Sequence, residues 1–470
     1  MANNIIYLNG INGADGEYLM PELTINQISR LAQGDKLETA HFEELKARHE
    51  AAEPSFGVAY GIDPEDLSQA GWGVVFAHGI DPSIREAISP LLMHRQGQAG
   101  DLYKEYSGPE GYRPQDSARV WLARPPRNKG PGPADPKKVP YYLLIVGDPE
   151  TIPFRFQYEL DVNYAVGRIH FDAIADYEQY ARSVIAAETA AKSQAPRRAV
   201  FFGVKNQADR ATELSADCLV KPLAEAVDGS KPASWTVETI NPDSATKEKL
   251  TSLLVSDEPL SLLFTASHGM GFPKGDKRQF GHQGALLCQN WPGPLKHRGA
   301  ISSDLYFSAD NLSVDACLSG LIAFHFACYG AGTPRWDDYA HQDNQRGEIA
   351  EKAFIAGLVK KELSLPNGGA LAVVGHIERA WTYSFQWPGA GEQRVVFQST
   401  LEALMAGNRL GAAMEYFGMK YADLAVGLNN ELEDIKFGKV PDDLALGSLW
   451  TAHNDSRSYV IIGDPAVRLK

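Results

Sequence analysis

Uninterrupted apolar runs alternate with helically spaced stretches through the second half of the chain. RAVFFGV (Arg198–Val204), WTVETI, LSLLFTASHG (Leu260–Gly269), GLIAFHFACYG, GALAVVGH and SYVIIGD (Ser458–Asp464) read as strands. An amphipathic stretch over about Asp209–Val227, the segment SATKEKLTSLLV with its early serine, and GEIAEKAFIAGLVKKEL read as helices. Strands that are apolar on both sides of the pleat belong to a sheet covered on both faces, and the repeated strand–helix–strand order predicts a mostly parallel one.

The first half repeats the pattern more loosely. WGVVFAHG (Trp72–Gly79), YYLLIVGDP (Tyr141–Pro149) and YAVGRIHF read as strands, and DYEQYARSVIAAETAAK as a long helix. RPPRNKGPGPADPKK (Arg124–Lys138) reads as a loop. KSQAPRR (Lys192–Arg198) is the natural cut, giving an N-terminal α/β subdomain over 1–195 and a second domain over 196–470. Two echoes link the halves: FAHG at His78 with TASHG at His268, and LLIVGDP with YVIIGDP. They occur in the same order, as a duplicated fold with one degenerate half would leave them.

Composition narrows the classes. With 470 residues, 44% hydrophobic and 22% charged, the chain has the make-up of a globular protein of two or three domains. A net charge of −14 argues against a general nucleic-acid binder. No apolar run is long enough to span a membrane. The N-terminal stretch MANNIIYLNGINGADGEYL lacks the basic start and apolar core of a signal peptide. Cys218, Cys288, Cys317 and Cys328 form no CxxC pair, which fits reduced thiols in a cytoplasm. His41 and His49 share a predicted helix without a third ligand, so neither a metal nor a cofactor is expected.

In parallel sheets of this kind, sites form at the carboxyl ends of strands. FHFACYGAGTP (Phe324–Pro334) ends its strand with Cys328 beside a glycine turn, and the Leu260–Gly269 strand ends with His268-Gly269. An imidazole beside a thiol favours the nucleophilic thiolate. A glycine at 269 lets a substrate carbonyl approach the backbone, and the N–H groups of Gly269 and Cys328 are suited to an oxyanion hole. His376, which also ends a strand, is the first rival base, and His78-Gly79 the second. His325 should point to the opposite side of its strand from Cys328. Cys218, Cys288 and Cys317 read as structural.

A strand ending in FTASHG, followed by one ending in HFACYGAGTP, resembles the caspase-type (clan CD) cysteine peptidases: caspases, gingipains and CHAT proteins. YYLLIVGDPETIPF, YAVGRIHFDAIADYEQYARSVIAAE and the closing IIGDPAVRLK are similar to gingipain-type chains. FSADNL and GGALAVVGHIERAW look more CHAT-like. The resemblance runs from about Tyr141 to the C-terminus. It implies a caspase-like three-layer α/β sandwich preceded by a second α/β subdomain. It also implies a cysteine endopeptidase with a His268/Cys328 dyad acting on protein or peptide substrates, in bacterial defence or regulated cell death. Phe326 stands where caspases carry the glutamine of Gln-Ala-Cys, so caspase-style aspartate binding is not expected.

Three acids near the strand ends, Asp337, Asp338 and Glu378, are suited to a basic substrate side chain, with Trp336 and Trp381 as pocket walls. Gingipain-like enzymes favour arginine or lysine before the cut bond, and the acids agree with that choice. GMGFPKGDKRQFGHQG leaves the sheet directly after His268 and reads as a mobile, accessible loop. Its Lys274, Lys277 and Arg278 offer cleavage sites to a second copy or to an upstream activating protease. Two other classes compete: a non-catalytic scaffold with a caspase-like fold, and an acyl- or amide-transferring cysteine enzyme.

Overall fold

A computed structural model describes residues 6–20, 24–34, 45–46, 57–190, 197–256, 258, 260–342, 345–387 and 391–469. The domain cut at 195 and both His41 and His49 lie outside the described residues.

The predicted strands form, and most lie in one ten-stranded sheet. Its order is Tyr103–Tyr106, Trp72–Phe76, Tyr142–Val146, Ala165–Ile169, Tyr459–Gly463, Ala372–His376, Ile322–Phe326, Leu262–Ala266, Arg197–Gly203, Trp235–Ile240. All neighbours pair in parallel except Tyr459–Gly463 with Ala372–His376. The sheet is thus two parallel blocks running in opposite directions and joined at one antiparallel seam. The chain's last strand sits in the block built otherwise from its first half. The carboxyl ends of the two blocks emerge at opposite edges.

Central strands are buried along their whole length, as their apolar runs require. On one face, Phe264 and Phe324 are cross-strand partners and pack against Phe397 and Phe417 from helices Val395–Ala406 and Glu415–Lys436. On the other, Thr265 and His325 face Glu362 of helix Gly357–Leu363. Helices on both faces of a largely parallel sheet make the expected three layers.

Asp464, in the closing IIGDP, is buried. It accepts hydrogen bonds from Trp72 Nε1 (3.0 Å) and Arg95 Nε (2.7 Å), so its charge is paired and fixes the last strand to the first.

Two expectations fail locally. GEIAEKAFIAGLVKKEL is helical only from Gly357, because Phe354–Ile355 pairs with Gly332–Thr333 instead. The predicted loop after His268 is part of a second sheet of four short strands: Gly10–Asn12, Gly269–Gly271, Leu286–Leu287 and Tyr306–Phe307. That sheet has its own core of Ile11, Met270, Phe272, Leu287, Trp291 and Tyr306. Apolar residues between the glycines give the segment something to bury, so it folds.

Candidate active site

Ala266 and Phe326 are cross-strand partners at the ends of adjacent parallel strands. His268 and Cys328 each come two residues later, so register alone brings them to one edge. Gly269 then packs directly on the cysteine. A Cβ at this position would lie 1.8 Å from the Cys328 carbonyl oxygen, so only glycine permits the approach. The Cys328 backbone fills the side-chain position of Gly269 and leaves its N–H open to a carbonyl. Immediately after the cysteine, Tyr329 takes a left-handed φ of 58°. This turn costs about 1 kcal/mol and swings the chain away from the thiol.

His268 is fully buried, and its Nε2 is 2.6 Å from Asp209 Oδ2. Asp209 also accepts from the Tyr18 hydroxyl (2.6 Å) and from Thr212 Oγ1 (2.6 Å). Burial pushes the Asp209 carboxyl up, but the charge of His268 and these hydrogen bonds outweigh it and hold it at about 2. The aspartate stays ionised at neutral pH and orients the ring. Edges of Tyr18 and Trp291 pack against the imidazole at 5.7 and 5.9 Å. Nδ1 of His268 is buried without a hydrogen-bond partner. Asp209 was missed in the sequence. It opens the predicted amphipathic helix and so looks like a helix cap, yet its side chain caps nothing there.

The residues around Asn9 fill the cleft. Gly269 N–H (2.8 Å) and Cys328 N–H (3.0 Å) both donate to the Asn9 carbonyl. Upstream, Asn9 N–H donates to Ala380 O (2.9 Å), Leu8 bridges antiparallel to Trp381, and Thr382 N–H donates to Tyr7 O (3.2 Å). Downstream, Gly10–Asn12 pairs in parallel with Gly269–Gly271. Cys328 Sγ accepts from Ala380 N–H at 3.2 Å. Burial pushes the thiol up to about 12, against smaller help from the Ala380 N–H and the Arg379 charge, so it is protonated at neutral pH.

Of the rival bases, His376 repeats the pairing of His268, its Nδ1 likewise buried without a partner, and His78 lies at the other edge. His376 Nε2 is 3.1 Å from Asp455 and its ring packs on Tyr459. His78 emerges at the opposite edge of the sheet, exposed, with Nδ1 on the Gly108 carbonyl (3.0 Å). His325 lies between Thr265 and Glu362 on the far face, as expected. All four cysteines are unpaired.

The acids expected to receive a basic side chain already hold arginines of the chain itself. Asp337 takes Arg379 in two 2.8 Å hydrogen bonds, Glu378 takes the same arginine at 2.7 Å, and Asp338 takes Arg457 at 2.7 Å. Burial and the neighbouring Asp338 push Glu378 up to about 8 despite Arg379. Of the proposed pocket walls, Trp381 adjoins the cleft through Leu8, while Trp336 is half-exposed beside a separate cavity of about 300 Å³. Lys274 pairs with Glu348, Arg278 pairs with Asp276 (2.8 Å) and Lys277 is exposed. Among the described residues there is no metal-binding cluster, and no helix is long and apolar enough to cross a membrane.

No family model and no curated protein matches the chain. Solved structures do. One described as "Structure of Protease" is similar over 86% of this chain and 80% of its own, at 11% identity and a TM-score of 0.50. The complex of Porphyromonas gingivalis RgpB pro- and mature domains matches 85% of this chain and 80% of that one, at 12% identity and a TM-score of 0.39. The Saccharomyces cerevisiae separase–securin complex matches 70% of this chain and 16% of that one, at 12% identity and a TM-score of 0.33. The likeness is one of fold, and it extends over most of this chain in the first of these, a protease.

Proposed function

We propose that the protein is a cysteine endopeptidase. Cys328 is the nucleophile, His268 the acid–base group and Asp209 the residue that orients it. The Gly269 and Cys328 N–H groups hold the oxyanion. One observation carries this reading: both N–H groups converge on a single backbone carbonyl, with extended chain paired to the cleft on either side. That is how a peptidase presents a peptide bond to its thiol.

In a productive complex, Cys328 attacks the carbonyl and the N–H pair takes up the developing negative charge. His268 accepts the thiol proton and returns it to the leaving amine. Asp209 stabilises the imidazolium in between. The sequence resemblance extends the proposal to a cytoplasmic enzyme of bacterial defence or regulated cell death. A scaffold role would leave the buried His268–Asp209 pair, at the same edge as Cys328, without a purpose.

Hydrolysis of a fluorogenic peptide panel tests the reading. Turnover that disappears in Cys328→Ala supports it. A Cys328 thiol that stays unreactive towards peptide acyloxymethyl ketones, with no turnover of any peptide, refutes it.

A further inference from the structure

The chain segment in the cleft narrows the substrate of the same site, provided that the site is a peptidase. We propose that it is specific for asparagine, and that its own Asn9–Gly10 bond is its first substrate.

Four observations converge on Asn9. Its carbonyl accepts from both oxyanion N–H groups, so the bond presented to Cys328 is Asn9–Gly10. The chain is paired on both sides of that bond: antiparallel to Ala380–Thr382 upstream and parallel to Gly269–Gly271 downstream. The Asn9 side chain is fully buried, with Nδ2 3.4 Å from both Ser215 Oγ and the Ser267 carbonyl. Gly10 lies against the thiol: a Cβ there would come within 2.7 Å of Cys328 Sγ and 2.2 Å of Leu19 Cδ1.

The pocket chemistry selects the side chain. The Ser267 carbonyl can only accept a hydrogen bond. An asparagine amide N–H satisfies it, whereas an aspartate carboxylate would meet oxygen with oxygen. The residues that hold Nδ2 carry no charge, so arginine or lysine would enter without a counter-ion. The pocket meets the amide at Nδ2 only and gives Oδ1 no partner, so its selection rests on the donor, and analogues that lack it are rejected.

A second Asn-Gly pair, three residues on, serves as an internal contrast. Asn12 has its side chain in a turn with Ala14 and Asp15, and its carbonyl accepts from Gly16 N–H. The two pairs share a dipeptide, and only Asn9 reaches the oxyanion hole.

The step balances within the chain and water. Cys328 gives its proton to His268 as Sγ bonds to the Asn9 carbonyl carbon. The Asn9–Gly10 C–N bond breaks as His268 passes that proton to the Gly10 nitrogen. Water then hydrolyses the thioester, freeing the Asn9 carboxyl and restoring the thiol. Residues up to Asn9 can leave, while those from Gly10 keep their pairing with Gly269–Gly271. Departure would free the Gly269 and Cys328 N–H groups that the Asn9 carbonyl now occupies.

The experiment follows the full chain over time by intact mass, beside Cys328→Ala, Asn9→Ala and Asn9→Asp. The expected product is a chain that begins at Gly10, formed from the wild type and from none of the three variants. Spontaneous Asn-Gly chemistry would persist in Cys328→Ala, and a Gly10 terminus in that variant overturns the proposal. In parallel, the enzyme is given fluorogenic Tyr-Leu-Asn, Tyr-Leu-Asp and Tyr-Leu-Arg peptides. Asparagine should be preferred by at least about 100-fold. Two results each overturn the proposal while leaving the peptidase reading standing: an Asn9–Gly10 bond that stays whole in an enzyme that cuts added peptides, and Cys328-dependent cutting after arginine or aspartate rather than asparagine. Loss of all Cys328-dependent turnover defeats the peptidase reading, and this inference with it.

Discussion

His78-Gly79 and His268-Gly269 come after strands of the same sheet and look alike in sequence. Their surroundings have nothing in common. His78 is exposed and rests on one backbone carbonyl, whereas His268 is buried against an ionised aspartate, with Cys328 beside its glycine. The glycines differ too. Gly79 is needed for a left-handed turn, φ 78°, in open space, whereas Gly269 is needed because the Cys328 backbone leaves no room for a side chain. A strand-end histidine becomes a site only where neighbouring strands end at the same edge. The antiparallel seam at Tyr459–Gly463 gives His78 one edge and His268 the other.

The two edges should differ most at Cys328 and His268, the proposed nucleophile and base. Cys328→Ala or His268→Ala should lower peptide turnover by at least about 10⁴-fold, and the double variant no further, since the two act as a unit. His78→Ala should leave the rate unchanged. Initial rates on any cleaved peptide check this, and a large loss in His78→Ala would move the site to the other edge.

Asp209→Asn should cost about 10²–10⁴-fold in kcat, with a far smaller change in KM, because it removes the ring's orienting charge and leaves the cleft walls in place. The same residue sets an acid limit. Its folded pKa is depressed from 3.8 to about 2, so its contribution of roughly 2 kcal/mol is present above pH 3.8 and lost as pH falls through about 2. Melting temperatures between pH 5 and 2 should fall less steeply in Asp209→Asn than in the wild type.

The two glycines give a smaller, structural contrast. Gly269→Ala should destabilise by about 3 kcal/mol and abolish activity, since the Cys328 backbone must move. Gly79→Ala should cost about 1 kcal/mol, the strain of its backbone conformation, and leave activity intact. Urea midpoints of the two variants compare them directly.

Glu378 is read in the pH dependence of stability alone. Its folded pKa is raised from 4.5 to about 8, so the folded state binds more protons than the unfolded one across that window, and stability falls as pH rises through it. Glu378→Gln should flatten that slope. An identical slope in the variant would place the titration elsewhere.

The sequence determined the strands, because a strand buried on both faces must be apolar throughout, and it displayed His268-Gly269 and Cys328 because each comes directly after such a run. Helix Glu415–Lys436 went unread because its apolar positions are interspersed with charges, and helix Asp443–Arg457 because much of what it buries is polar, Ser448, Thr451, His453 and Asn454 among them. Strand direction, too, leaves no mark in composition, so the seam and the two edges had to come from tertiary structure. The same holds for every long-range partner. Asp209 meets His268 across 59 positions, Asp337 meets Arg379 across 42, and Asp338 meets Arg457 across 119. Read locally, Asp209 was a helix start and the two acids were a pocket. Tertiary structure alone decided that the first pairs with His268, that the other two are neutralised by arginines, and that the carbonyl of Asn9, far away in the chain, meets the Gly269 and Cys328 N–H groups. The physical reason is the same in each case: hydrogen bonds and charges act over a few ångströms in space, while the sequence orders residues only along the backbone.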